Sequence, residues 1–300
     1  MNRMKDARIS LIISMTIFGT IGLFVRNINV ASGELALYRA VLAAVLISVY
    51  LIVTKKKIPW KESKKEIPIL LFSGAAMGFN WILLFEAYKY TTVSVATLSY
   101  YFAPVIVILV CPILFKEKMT KKQWICFIMS TIGIVLITGI GDLSGNNRHL
   151  IGILFGLGAA VLYATVILSN KFIKNVEGLH RTFLQFLAAV AVLIPYVLMT
   201  SGINLGNLDG KGWMFLLIVG FVHTGITYCL YFSSLKELPG QKAAILSYID
   251  PLVAVVISVV ILKETMTVWQ ALGGMLILGF TLWNEIEPAE KADSDEILEK

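Results

Sequence analysis

The chain has 300 residues, 57% of them hydrophobic and 15% charged, with a net charge of +7 and a mean hydropathy of +0.80. Soluble domains carry about 25% charged and about 45–50% apolar residues, so this composition excludes an ordinary soluble domain. The positive charge sits in short loops and forms no basic face with interleaved aromatics, which excludes a nucleic-acid partner.

Taken in chain order, apolar runs fall near residues 8–25, 33–53, 67–88, 92–115, 121–140, 150–170, 181–200, 212–235, 243–262 and 267–284. Each approaches the ~20 residues that cross ~30 Å of hydrocarbon as a helix. They predict an all-α polytopic membrane protein with ten transmembrane helices. "MNRMKDAR" passes into the first run without a small-residue cleavage site, so that run reads as a retained helix. The turn "LKETMTV" barely separates the ninth run from the tenth. Cys111, Cys126 and Cys229 lie inside apolar runs and read as small core residues, not as a disulfide frame. Residues 285–300 form a polar, acidic tail.

With the N-terminus placed in the cytoplasm, 20 of the 26 Lys and Arg fall on the inner side, five fall outside and Arg39 lies within a span. That bias orients bundles during insertion. It predicts a multi-pass protein of the cell (inner) membrane with both termini and the 285–300 tail cytoplasmic.

A shift of 147 residues aligns the halves. Tyr88–Gln123 against Leu235–Gln270 gives nine identities in 36 positions, pairing Tyr101 with Tyr248, Pro104 with Pro251, Glu117 with Glu264 and Gln123 with Gln270. At a slightly different offset "FGT" (18–20) meets "YAT" (163–165), and Arg26 falls on Lys171. Five spans per half is an odd number, so the second copy enters the membrane inverted. Inverted repeats with a midplane site at their interface are an architecture of secondary transporters working by alternating access.

The elements "FGT"/"YAT", the arginine of "ELALYRA", "EAYKYTTVSVATLSYYFAPV" before "KEKMTKKQ" and "SSLKELPGQKAAILSYIDPL" before "KETMTVWQALGG" resemble the drug/metabolite transporter superfamily, in its ten-helix type with two EamA-like repeats. The resemblance spans residues 8–284 and places the repeats at 8–140 and 150–284. It implies transport of small organic metabolites, with export of amino acids or related compounds as the main expectation. Proton-coupled export of cationic drugs is the alternative within carriers. A membrane-embedded enzyme or a structural subunit is the alternative of another class. The sequence has no HExxH, no Ser–His pair at sensible depth and no Cys/His metal spacing, so neither enzyme nor cofactor is expected. The expected partners are a small-molecule substrate and the lipid bilayer, with coupled protons and a homodimer left open.

Depth along the spans picks out the candidate substrate-binding residues. Asp250 lies about eight residues, ~12 Å, inside its span, where an ionisable group needs a cavity or a partner. The following Pro251 disfavours helix at Asp250, so this residue reads either as a site carboxylate or as the cap of a restarting helix. Ala103 holds the matching place in the first half. His223 lies near the midplane, where a titrating and a packed histidine are both plausible readings. Asn80 and Trp81, with repeat partners Thr227 and Tyr228, lie at middle depth, as do Tyr100, Tyr101 and Tyr248. Polar aromatics there suit an amphipathic solute. Arg39 either binds a substrate carboxylate or, as the favoured reading, neutralises Glu34 or Glu86. His149 and His180 fall in loops and carry no signal. Gly152 with Gly156, and Gly273 beside Gly274, read as close helix contacts.

Overall fold

The computed structural model describes residues 2–55, 64–115, 118–138, 147–176, 178–238 and 240–286. The tail at 287–300 and the Lys116–Glu117 part of the repeat lie outside the described residues. Fourteen α-helices run through the rest, and among the described residues there is no strand. They are α1 (Asn2–Gly19), α2 (Ile21–Val25), α3 (Ser32–Val53), α4 (Ile67–Tyr90), α5 (Val93–Tyr100), α6 (Ala103–Phe115) and α7 (Lys121–Thr138). The second half contributes α8 (Asn147–Asn170), α9 (Gly178–Thr200), α10 (Gly210–Leu217), α11 (Thr227–Leu235), α12 (Gly240–Ser247), α13 (Ile249–Val256) and α14 (Val268–Glu285). Two π-helical stretches, Ile218–Ile226 and Ile257–Ile261, continue α10 and α13.

Among the described residues eight helices are long and apolar enough to cross a membrane, against the ten expected. The remaining pair differs for a physical reason. The apolar stretch Ile245–Ile261 is short, and α14 has only 18 residues and closes on the polar Asn284 and Glu285. Side chains such as Ile52, Val53, Leu198 and Met199 are large, apolar and exposed, as expected where lipid replaces water.

A break near proline appears in both halves, and in the second half it is displaced from the place expected at Asp250. Helix α5 stops at Tyr100 and α6 restarts at Ala103, ahead of Pro104. In the second half α12 stops at Ser247 and α13 restarts at Ile249, so the break falls on Tyr248 and Asp250 sits inside the first turn of α13. The expected break at Asp250 is therefore corrected. Pro251, at the third position of α13, lacks only an N–H that a first turn leaves unbonded anyway. Asp250 does not cap this helix either, because the capping position belongs to Tyr248.

The echoed Thr-x-x-Gln has a local cause. Thr267 and Gln270 form a capping box at the start of α14. Thr120 and Gln123 exchange the same two bonds at the start of α7, at 2.8 and 3.2 Å.

Helices from the two halves interleave. α4 packs along α8 and α9, α3 on α9 and on the 218–226 stretch, α1 on α11 and α13, and α7 on α14. Small residues permit the close approaches. A Cβ on Gly133 would stand 2.7 Å from the Gly273 carbonyl oxygen, and Cβ atoms on Gly152 and Gly156 would stand 2.7 and 2.8 Å from Thr91 and Ser99.

Candidate functional site

Where α1, α3, α4, α5, α6, α8, α11, α13 and α14 converge, they leave a cavity of about 510 Å³. It takes in Trp81, Tyr100, Tyr101, Tyr228, Tyr248, Asp250 and Arg39 from the predicted set. It also takes in Tyr88, Thr97, Tyr163, Tyr231 and Lys171, which depth reasoning did not single out. Tyr163 carried a signal all the same, as the aromatic of "YAT".

Asp250 accepts a hydrogen bond from the Tyr101 hydroxyl at 2.6 Å. This bond joins the helix break of the first half to the first turn of α13, two residues past the break of the second. Gly19 of "FGT" lies against the same turn. A Cβ there would stand 2.5 Å from the Asp250 carbonyl oxygen and 2.7 Å from the Val253 Cβ, so only glycine lets α1 reach it.

Arg39 is 3% exposed. Its Nε donates to the Thr224 hydroxyl at 3.0 Å, and its guanidinium lies 4.4 Å from the Trp81 ring centre and 5.4 Å from that of Phe85. The expected pairing with Glu34 or Glu86 is corrected. Glu34 is taken up by the amides of Ala31 and Asn204 and the Tyr38 hydroxyl, and Glu86 pairs with Lys89 at 3.1 Å. The π-helical turn delivers Arg39's actual partner. Thr224 sits within it, and its own hydroxyl donates to Val219 five residues back. Such turns widen a helix locally and recur at functional sites.

The aromatic walls are layered edge to face. Tyr228 meets Phe18 at 5.1 Å and Phe186 at 5.3 Å, Trp81 meets Phe186 at 5.4 Å, and Tyr100 stacks on Tyr163 at 5.1 Å. Two predicted residues lie outside the cavity lining. The Asn80 amide donates to the Ala159 carbonyl at 2.6 Å, tying α4 to α8. His223 is 1% exposed, with Nε2 2.9 Å from the Thr20 hydroxyl and its ring edge-on to Phe24.

The two ends of the bundle differ. At one end Arg26 bonds to the carbonyl oxygens of Tyr88 (3.0 Å) and Thr91 (2.7 Å) and pairs with Glu264. Glu264 also takes the Val93 amide at 2.8 Å and the Ser258 hydroxyl. His149, expected in a loop, instead lies in the first turn of α8, because that helix begins at Asn147. There it joins the same cluster, 2.7 Å from the Thr91 hydroxyl and 3.2 Å from the Gln270 amide. At the opposite end the cavity reaches Cys111, Gln123, Asn284 and Glu285 and the exposed Lys171, whose ammonium lies 3.0 Å from the Cys111 sulfur. The cavity's lining thus reaches the Lys171 end and includes none of Arg26, Glu264, Val93 and His149 at the other end.

Comparison with known proteins places this architecture. The sequence profile of the EamA-like transporter family matches residues 7–139 and again 150–284. "Uncharacterized transporter YxxF" of Bacillus subtilis (strain 168) is 32% identical over 274 residues, which is 91% of this chain and 87% of that one. An "Uncharacterized transporter" of Archaeoglobus fulgidus is 27% identical over 289 residues, 94% of this chain and 98% of that one. A solved chain titled "Crystal structure of protein" shares the fold at a TM-score of 0.62 with 16% identity, covering 92% of this chain and 95% of its own. A helical bundle that crosses the membrane many times, matched by one profile in each half, belongs to the EamA-like transporter family.

Proposed function

We propose that this protein is a secondary carrier of small organic metabolites, exporting amino acids or related compounds by alternating access through a cavity between two inverted five-helix repeats. The observation that carries the reading is a cavity lined by both halves, sealed at one end by an ion-pair cluster and reaching the other. The loop charges put the Lys171 end in the cytoplasm, so the conformation described is inward-open.

Three features support the repeat. Counting the stretches 240–261 and 268–285 as spans nine and ten gives five per half. The packing pairs then exchange with one another: span 3 on span 6 becomes span 8 on span 1, span 2 on span 8 becomes span 7 on span 3, and span 5 on span 10 maps onto itself. The cluster at the sealed end also has a counterpart at the open end. The 147-residue shift carries Cys111 onto Ser258, and Lys171 stands where Arg26 does in the first half.

Export as the direction follows from the family resemblance. The cationic-drug reading has one observation in its favour, Asp250 set among tyrosines. The test is counterflow in proteoliposomes with a panel of amino acids and organic cations, on wild type and Asp250→Asn. Amino-acid exchange that the variant loses supports the proposal. Exchange of cations alone replaces it with drug export, and exchange of nothing by folded, oriented protein overturns the carrier reading.

A further inference from the structure

A second cavity, of about 670 Å³, lies at the Arg26 end between residues 25–32 and Phe85, Tyr88 and Lys89. Arg26, Asn27 and Asn29 on its lining are exposed, so it faces water at the end away from Lys171. Among the described residues Tyr88 alone lines both this cavity and the central one. Its two ends belong to the two sides. The hydroxyl stands 3.4 Å from that of Thr97, a residue of the central lining, and the backbone carbonyl accepts a bond from Arg26 Nε at 3.0 Å. Phe85, one turn earlier on the same face of α4, lines the outer cavity and lies 5.4 Å from the guanidinium of Arg39, which lines the central one.

The wall between the two cavities is thus one side chain thick at Tyr88. A route through the Arg26–Glu264 cluster has to part many bonds, those of Glu264 to Arg26, Val93 and Ser258 and those of His149 to Thr91 and Gln270. Tyr88 is 3% exposed, and its tip is held by one hydroxyl contact that is long for an O–H···O bond. Packing does the rest, and a ring can leave its place by changing rotamer without displacing a helix. Its backbone is tied through Arg26 to Glu264, so the ring and the ion pair are mechanically linked. We infer that the outer cavity is the release vestibule of the transport path, that the Tyr88 ring is the partition a solute passes to reach it, and that Arg26 holds this partition in place. The inference rests on the carrier reading and adds a route and a gate to it. Tyr88 acts here by blocking passage, not by choosing the solute.

Thr97→Cys in the full-length chain without its native cysteines tests the gate, in sealed, oriented vesicles. Sulfonatoethyl methanethiosulfonate, a membrane-impermeant thiol reagent, is added at the Arg26 side. Tyr88→Ala is expected to raise the labelling rate at least tenfold with Glu264 in place, and Tyr88→Phe, which keeps the ring, to leave it slow. Adding Asn29→Trp fills the vestibule and should remove the gain, whereas Val268→Trp, at the same end but outside both linings, should not. No gain in Tyr88→Ala, or a gain that survives Asn29→Trp, overturns the inference. A second measurement keeps Tyr88 native. Asn29→Cys, treated at the Arg26 side with the bulkier stilbenedisulfonate maleimide, should lose counterflow of the amino-acid and organic-cation panel at least tenfold, and Val268→Cys should lose none. Unchanged counterflow in labelled Asn29→Cys overturns the vestibule and leaves the carrier reading intact. No counterflow before the reagent is added overturns the carrier reading, and the inference falls with it.

Discussion

Replacing Glu264 by glutamine is predicted to open the sealed end of the bundle. Glu264 holds three donors there, the Arg26 guanidinium, the Val93 amide and the Ser258 hydroxyl, and its side chain is only 9% exposed. A hydrogen bond to a charged group contributes roughly 1.5–3 kcal/mol, and Arg26, at 30% exposure, is partly screened by water. Glutamine keeps an acceptor for Val93 but loses the charge, so the seal should weaken by about 2 kcal/mol. That moves the balance between sealed and open forms about 30-fold. Spin labels at Asn27 and Val268, both on exposed positions at this end, report it by pulsed electron–electron distance measurement in a background with the three cysteines changed to serine. The variant should populate a longer distance than wild type. An unchanged distribution in a well-folded variant would refute the assignment of this pair as the latch.

Three further outcomes follow from the packing and the site. Gly133→Val should drive α7 off the Gly273 carbonyl and cost ~1–3 kcal/mol, read as a lower Tm, whereas Gly279→Ala, with nothing within 4 Å of its Cβ, should leave Tm unchanged or raised. Gly19→Val should suppress counterflow in protein that still inserts and purifies as a monodisperse species, because the new side chain displaces the Asp250 turn. Thr224→Val removes the one hydrogen bond that Arg39 makes among the described residues, worth roughly 1.5–3 kcal/mol, and should raise the KM for the transported solute at least tenfold. An unaltered KM would show that Thr224 does not position the guanidinium.

Much of this molecule was legible in the sequence because bilayer thickness imposes a length and polar residues inside that length stand out. Asp250, Trp81 and the paired tyrosines were found by depth alone, and all of them line the cavity. Depth gives no azimuth, however. In a soluble helix the polar face would supply it, but lipid and protein interior are both apolar, so no such face exists. Asn80 and His223 lie at the right depth and turn to Ala159 and Thr20 instead. Arg39's partner was beyond sequence reasoning for another reason: Thr224 is 185 residues away and presented by a π-turn that periodicity does not announce. The role of Glu264 stayed hidden because loop-end charges read as solvated until two ends are seen to meet. The Thr-x-x-Gln echo, read in the sequence only as a sign of the repeat, is in the structure a capping box at both places.

The most direct test of a carrier with one alternately exposed cavity uses Thr97, which lines it one helical turn from Val93 and the Arg26–Glu264 cluster. Thr97→Cys, in a background lacking the native cysteines, is treated with a membrane-impermeant thiol reagent from each side of sealed, oriented vesicles. Alternating access predicts labelling from the Lys171 side in wild type, and labelling from the Arg26 side once Glu264→Gln is added, with no ion leak in either protein. Labelling from one side only in both proteins, or a standing leak, would contradict it.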